Sequence, residues 1–176
     1  SVVCRPAATT EGDPRSDDTP DSMTIIAWSG DLDKLWPTFI LSSTGAASGM
    51  EVTVFFTFWG LNTIRKKGAS SSAKDWLRRM FGMLNKGGAD NLPLSRFHFG
   101  GLGTSMMKLV MKQNRMPGVP ELMETALDLG VRFIACTTTM GLMGITKDTL
   151  IDGIDQFAGV TTYLAEAKQG SVNLFI

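Results

Sequence analysis

One cysteine, Cys136, stands in the body of the chain, in the stretch GVRFIACTTTMGLMGI (130–145); the other, Cys4, lies far toward the amino end. A thiol at the carboxyl end of an apolar, β-branched run can be inert packing, as most buried cysteines are. Its placement at the strand's end, just before small and flexible residues, points the other way. A helix expected to start near Thr146 would turn its positive dipole end toward that region and lower a thiol pKa. A thiolate near neutral pH is a good nucleophile toward disulfides, persulfides and polysulfides. Thiolate chemistry predicts an accessible, low-pKa thiol, and packing predicts a buried, unreactive one.

The second chemical stretch is FGGLGTSMMK (99–108), a glycine-rich turn entering a helix. Such a turn exposes backbone N–H groups at a helix start and suits an anion. Gly101, Gly103, Thr104 and Lys108 are the candidate contacts for a phosphate or a sulfur oxyanion, with Lys108 as an electrostatic helper. The spacing matches neither the P-loop nor the dinucleotide fingerprint. His98 is the sole histidine and Cys136 has no cysteine at a ligand spacing, so no metal site, no cofactor and no Ser-His-Asp triad is expected. A thiol peroxidase would need a resolving cysteine, which nothing supplies within one chain.

Charge is balanced overall at 17 basic and 17 acidic residues, but residues 65–115 carry eleven Lys or Arg against Asp75 and Asp90, a net of +9. That asymmetry favours an anionic ligand or an acidic partner, with a solvated helix face as the plain alternative. Nucleic acid is not favoured, because the aromatics of this region (Trp76, Phe81, Phe97, Phe99) fall where a core wants them rather than on a stacking platform.

The elements that must position these residues read as α/β. MTIIAW (23–28), EVTVFFTFW (51–59), RFIACT (132–137), QFAGV (156–160) and SVNLFI (171–176) are strand-like, the second apolar on both faces as a central parallel strand should be. Between them lie helix patterns: one from Ser29 or Asp31 to Gly49 with Pro37 near its first turn, then SSAKDWLRRMFGML, TSMMKLVMKQNR, VPELMETALDLG, TKDTLIDGI and TTYLAEAKQG. Alternation of this kind means a mostly parallel sheet of about five strands covered on both faces, a three-layer α/β/α domain. The segment from about 60 to 130 is an insertion with most of the positive charge, and in open parallel sheets ligands sit beyond the carboxyl ends of the strands. The insertion and Cys136 are therefore expected to be neighbours.

Residues 1–22, rich in Pro, Asp, Thr and Ser, read as a flexible leader or linker without a signal-peptide pattern, and residues 23–176 as a single domain. Residues 35–61 are nearly uncharged, but Glu51 splits them and neither half reaches the roughly 20 residues of a membrane span. A peripheral membrane contact stays open. A free thiol fits a reducing, cytoplasmic setting, and methionines 80, 83, 106, 107, 111, 116, 123, 140 and 143 offer a re-packable surface for a homo-oligomer.

WSGDLDKLWPTFILSSTGAASGMEVTVFFTFWGL, GGLGTSMMK, FIACTTTMGLMGI, GVTTYLAEA and the terminal VNLFI, in this order over residues 23–176, resemble the DsrE/DsrF-like sulfur-relay proteins. The likeness is greatest to the larger subgroup with a Gly-Gly-x-Gly insertion that bears a peroxiredoxin-like label. It implies a three-layer α/β/α fold and a sulfur carrier or sulfurtransferase, with Cys136 at the position of the persulfide-bearing cysteine. Anionic sulfur species and TusA-like carriers or rhodanese-like proteins are the partners implied. Where the subgroup has Ser and Asp after the cysteine, this chain has Thr139 and Gly141. The opposing reading of the residues is an oligomeric small-molecule or nucleotide-binding module in which Cys136 is structural.

Overall fold

A computed structural model of the protein describes residues 21–67, 87–96 and 99–176. They form β1 (Ser22–Ala27), α1 (Leu32–Ala47), β2 (Glu51–Phe56), α2 (Leu102–Gln113), α3 (Val119–Asp128), β3 (Arg132–Cys136), α4 (Thr137–Met143), β4 (Gln156–Ala158), α5 (Val160–Ala167) and β5 (Val172–Phe175). The leader, bar its last two residues, the helix expected over 71–84, Cys4 and His98 lie outside the described residues.

The five strands form one sheet in the order β4-β3-β2-β1-β5, and every pair is parallel. The α/β class and the strand count expected from the alternating pattern are what the chain adopts. β2 and β3 occupy central places, and their long apolar runs follow from that: Val52, Val54, Phe55 and Phe56, and Phe133 to Cys136, are all buried.

One face of the sheet packs under α1 and α3. α1 turns Leu32, Leu35, Phe39 and Ser42 inward, a helical spacing that lays one stripe on the sheet. Phe39, Phe56 and Phe133 meet there with ring centroids 5.1 to 6.2 Å apart, tilted and edge-on as aromatic quadrupoles prefer. The other face has a smaller cluster of Phe55, Ile134, Cys136, Ala158 and Tyr163 under α5. Its polar fringe is the Arg132–Glu166 ion pair, joined by Thr53, and the Tyr163 hydroxyl, 3.2 Å from Thr24 Oγ1.

Several local expectations are corrected. The strand expected over 51–59 stops at Phe56, and Phe58, with φ 47°, turns the chain into a 3-10 helix over Phe58–Asn62. Gly60 lets that turn sit against β1, because a Cβ there would fall 2.0 Å from the Ala27 carbonyl oxygen. The residues after Cys136 are not a flexible loop but α4, whose Met140 is buried in the main core and whose end is closed by Gly144 in the left-handed conformation at φ 65°. The helix expected from Thr146 is a single 3-10 turn, Lys147–Thr149, because the chain then extends so that Ile151 N–H bonds Ile64 O at 2.9 Å. Likewise Asp31 occupies the N-cap position of α1 without a side-chain cap; its carboxylate accepts the Ser29 hydroxyl at 2.9 Å. Pro37 falls inside α1, more than a turn from its start.

Phe133, like Phe39 and Phe56, takes part in two of the three contacts and is fully buried. Phe133→Ala is expected to lower the unfolding free energy by about 3–5 kcal/mol, read from the shift of a urea unfolding midpoint.

Candidate functional site

Parallel register decides what lies beside the thiol. Ala27 pairs with Phe56, Phe56 with Ala135, and Cys136 with Ala158. Carried one residue past the end of β2, the same register sets Thr57 alongside Cys136. Thr57 remains extended (φ −136°, ψ 162°) and its N–H bonds Ala27 O at 3.0 Å, so strand alternation holds and the two side chains share the α5 face.

Cys136 is the N-cap residue of α4, with extended backbone (φ −70°, ψ 111°), and Thr139 is the third residue of that helix. Side chains three apart around a helix start meet. The Thr139 hydroxyl lies 3.6 Å from Cys136 Sγ, toward which it donates. The same oxygen lies 3.0 Å from the Thr57 hydroxyl and accepts the Phe58 N–H at 3.4 Å.

Burial pushes the Cys136 thiol up, since the residue is 5% exposed among apolar neighbours. Against it act, in order, the Thr139 backbone N–H, the Thr139 and Thr57 hydroxyls and the Thr138 backbone N–H, and the balance lies below the ordinary cysteine value. The two first-turn N–H groups do so by facing the sulfur; neither closes a side-chain cap of standard geometry. The site thus divides the two expectations for the thiol: it is buried, as packing requires, and lowered in pKa, as thiolate chemistry requires. The dipole that assists it belongs to α4, not to a helix from Thr146.

The glycine turn has structural contacts of its own. Gly100 and Gly101 hold φ of 65° and 102°, the left-handed region open to glycine, and Gly101 is the N-cap of α2. Thr104 is buried and its hydroxyl oxygen accepts the Leu94 N–H at 3.3 Å, while Lys108 Nζ donates to Asp90 O. Both side chains pin the 89–94 segment, which is itself held on α1 by Leu32 N–H to Pro93 O at 2.7 Å and by Ser95 on Asp33. The hollow beside Gly103, about 510 Å³, is lined mostly by Leu94, Leu102, Met106, Met107 and Val110 and is apolar. Neither Thr104 nor Lys108 bonds the thiol or its threonines.

The residues that surround the sulfur, Thr57, Thr138 and Thr139, were not among the sequence candidates. A Cys-x-x-Thr at a strand-to-helix junction is the signal that would have found Thr139. Nothing local could have found Thr57, which is 82 positions from its partner. Among the described residues no three His, Cys, Asp or Glu side chains gather as metal ligands would, and no helix is long and apolar enough to cross a membrane.

A parallel α/β/α domain with a hydrogen-bonded cysteine at the carboxyl end of its third strand is the class that fold and site define. The family model described as the DsrE/DsrF/DrsH-like family matches residues 19–175, and the chain belongs to that family. It is 46% identical over 153 residues to the uncharacterized protein YrkE of Bacillus subtilis (strain 168), covering 87% of this chain and 95% of that one. It is 36% identical over 158 residues to the sulfur carrier protein DsrE2 of Allochromatium vinosum, covering 88% and 97%. Two solved structures share the fold at low identity. The protein of unknown function MTH1491 from Methanobacterium thermoautotrophicum has a TM-score of 0.53 at 13% identity, covering 89% of this chain and 99% of its own. The ychN protein from E. coli has a TM-score of 0.52 at 10% identity, covering 90% and 100%.

A thiol whose pKa is lower in the folded chain than in the unfolded one links stability to pH with a definite sign. The contribution is complete above the unfolded value of about 8.5 and is lost as pH falls through the folded value. The stability difference between the wild type and Cys136→Ser is therefore expected to shift in favour of the wild type as pH rises from about 6 to about 9, measured by urea midpoints of both proteins across that range.

Proposed function

We propose that the protein is a sulfur carrier, with sulfurtransferase activity, in which Cys136 holds the travelling sulfur as a persulfide. The observation that carries this reading is the sulfur's setting. In a cluster that is otherwise apolar, Cys136 is met by two hydroxyls and faced by two backbone N–H groups, and its pKa is lowered in spite of burial. Inert packing needs none of these donors. Family membership and 36% identity to a protein named as a sulfur carrier support the same reading.

The chemistry is two displacements. The Cys136 thiolate attacks the outer sulfur of a persulfide, polysulfide or thiosulfate; an Sγ–S bond forms, the donor's S–S bond breaks, and the electron pair leaves with the donor thiolate or, from thiosulfate, with sulfite. An acceptor thiolate then attacks the outer sulfur, the Sγ–S bond breaks, and the pair returns to Sγ. No net oxidant or reductant is consumed.

On this reading the partners are sulfur-carrier or rhodanese-like proteins and anionic sulfur species, the setting is the reducing cytoplasm, and Gly101, Gly103, Thr104 and Lys108 serve the fold of the insertion first and any anion second. A homo-oligomer is part of the proposal, because α2 leaves Leu102, Met106 and Leu109 more than half exposed and Val110 nearly so. The competing binding-module reading draws on the 5% exposure of Cys136 and on the apolar hollow at Gly103.

Incubation with polysulfide or thiosulfate followed by intact-mass measurement separates the two. Additions of about 32 mass units, one sulfur atom on a thiolate, are expected on the wild type and on Cys4→Ser and to vanish in Cys136→Ser. A folded wild type that takes up no sulfur from either donor makes Cys136 packing and leaves the binding module standing.

A further inference from the structure

Resting on the sulfur-carrier reading, we infer that Thr139, supported by Thr57 and the Phe58 N–H, is the group that stabilises Sγ as leaving group when Cys136 hands its sulfur on.

Hydrogen-bond accounting leads there. A threonine hydroxyl has one proton to give and two lone pairs to fill. Thr139 spends its proton on Cys136 Sγ at 3.6 Å. One lone pair takes the Phe58 N–H at 3.4 Å, and the Thr57 oxygen lies 3.0 Å away, placed to give its proton to the other. Thr139 is 6% exposed, so water does not compete for these positions. With its proton on the sulfur, the Thr139 oxygen faces the Phe58 N–H and the Thr57 hydroxyl as an acceptor. The chain Thr57 O–H to Thr139 O–H to Sγ is polarised toward negative charge on Sγ, since each donated bond strengthens the next.

The backbone holds this geometry from outside the site. Thr57 is fixed by its own N–H on Ala27 O and by Gly60 N–H on its carbonyl, both at 3.0 Å. The extended Thr57 (ψ 162°) turns the Phe58 N–H toward Thr139, and Phe58 itself then takes a left-handed φ of 47° into the 3-10 turn, a conformation that costs a non-glycine residue about 1 kcal/mol or more. Its ring stands 40% exposed, in edge-on contact with Trp59 at 5.3 Å.

Charge moves in opposite senses in the two half-reactions. In uptake, the bond from Thr139 stabilises the attacking thiolate, so it raises the thiolate fraction while tempering nucleophilicity. In discharge, the Sγ–S bond breaks and the electron pair arrives on Sγ, where the same proton meets charge as it develops. The hydroxyl therefore assists discharge more than uptake. The cluster around the sulfur holds one other titratable side chain, Tyr163 of α5; Arg132 and Glu166 pair with each other toward the amino end of that face.

Thr139→Val keeps the shape and removes the hydroxyl; Thr139→Ser restores it. In a Cys4→Ser background, thiolate absorbance near 240 nm, taken as the difference from Cys136→Ser so that Tyr163 cancels, reads ionisation of Cys136 without asking a reagent to reach it. The midpoint is expected to move up in Thr139→Val and return in Thr139→Ser. Single-turnover discharge of sulfur-loaded protein to a small thiol is expected to slow about tenfold in Thr139→Val, the worth of one hydrogen bond to a charged group, with a smaller change in uptake. Should Thr139→Val fail to fold, Thr57→Val is read the same way and moves both quantities in the same direction by less. An unmoved midpoint in a folded variant, or equal loss in uptake and discharge, overturns the assignment. A moved midpoint with no sulfur taken up by any protein keeps the hydrogen bond to Sγ but overturns its role in discharge together with the sulfur-carrier reading.

Discussion

The site hangs on a sulfur atom that is buried among apolar side chains and yet hydrogen-bonded. Cys136 ends β3 inside an apolar cluster, where a bare thiolate would be costly. The protein meets that cost locally, with the first turn of α4 and a threonine delivered from the end of β2. Remove the parallel sheet and the second of these contributions has no reason to be near the sulfur. Remove α4 and the thiol is left in hydrocarbon, where burial alone would keep it protonated.

The two faces of the sheet divide the labour. One is covered by α1 and α3 over three interlocked phenylalanines and holds most of the buried apolar side chains, so it dominates the stability. The other is covered by α5, eight residues long, and carries the cysteine, a tyrosine and an ion pair over a smaller core. Functional polar groups are easier to accommodate where the packing is thinner, because fewer apolar contacts are forfeited to make room for them. At the carboxyl end of this sheet Trp28, Phe58, Trp59 and Phe175 stand partly exposed.

The glycine turn is a motif whose structural part is plain. Its glycines take the left-handed conformations that the pattern calls for. Thr104 and Lys108 fasten the 89–94 segment, Thr104 by accepting the buried Leu94 N–H and Lys108 by donating to the Asp90 carbonyl. The stretch after Cys136 is less plain. Three threonines, two glycines and two methionines have modest helix propensity, which local reasoning takes for a loop. Burial of Met140 and closure by Gly144 hold them in a helix all the same.

The chain's own pattern of apolar runs and helical spacings determined the α/β class, the five strands, the central place of β2 and the position of Cys136 at a strand's end. Those are properties of periods and runs, which act within a few residues of one another. Thr139 meets the sulfur through local helix-start spacing, but the groups behind it were decided by tertiary structure alone. Thr57 reaches Cys136 through a strand register that is fixed when two distant segments pair, and Phe58 through a backbone turn that only contact with β1 permits. Hydrogen bonds between segments some eighty residues apart leave no mark on either segment, so no reading of the sequence by itself could place them.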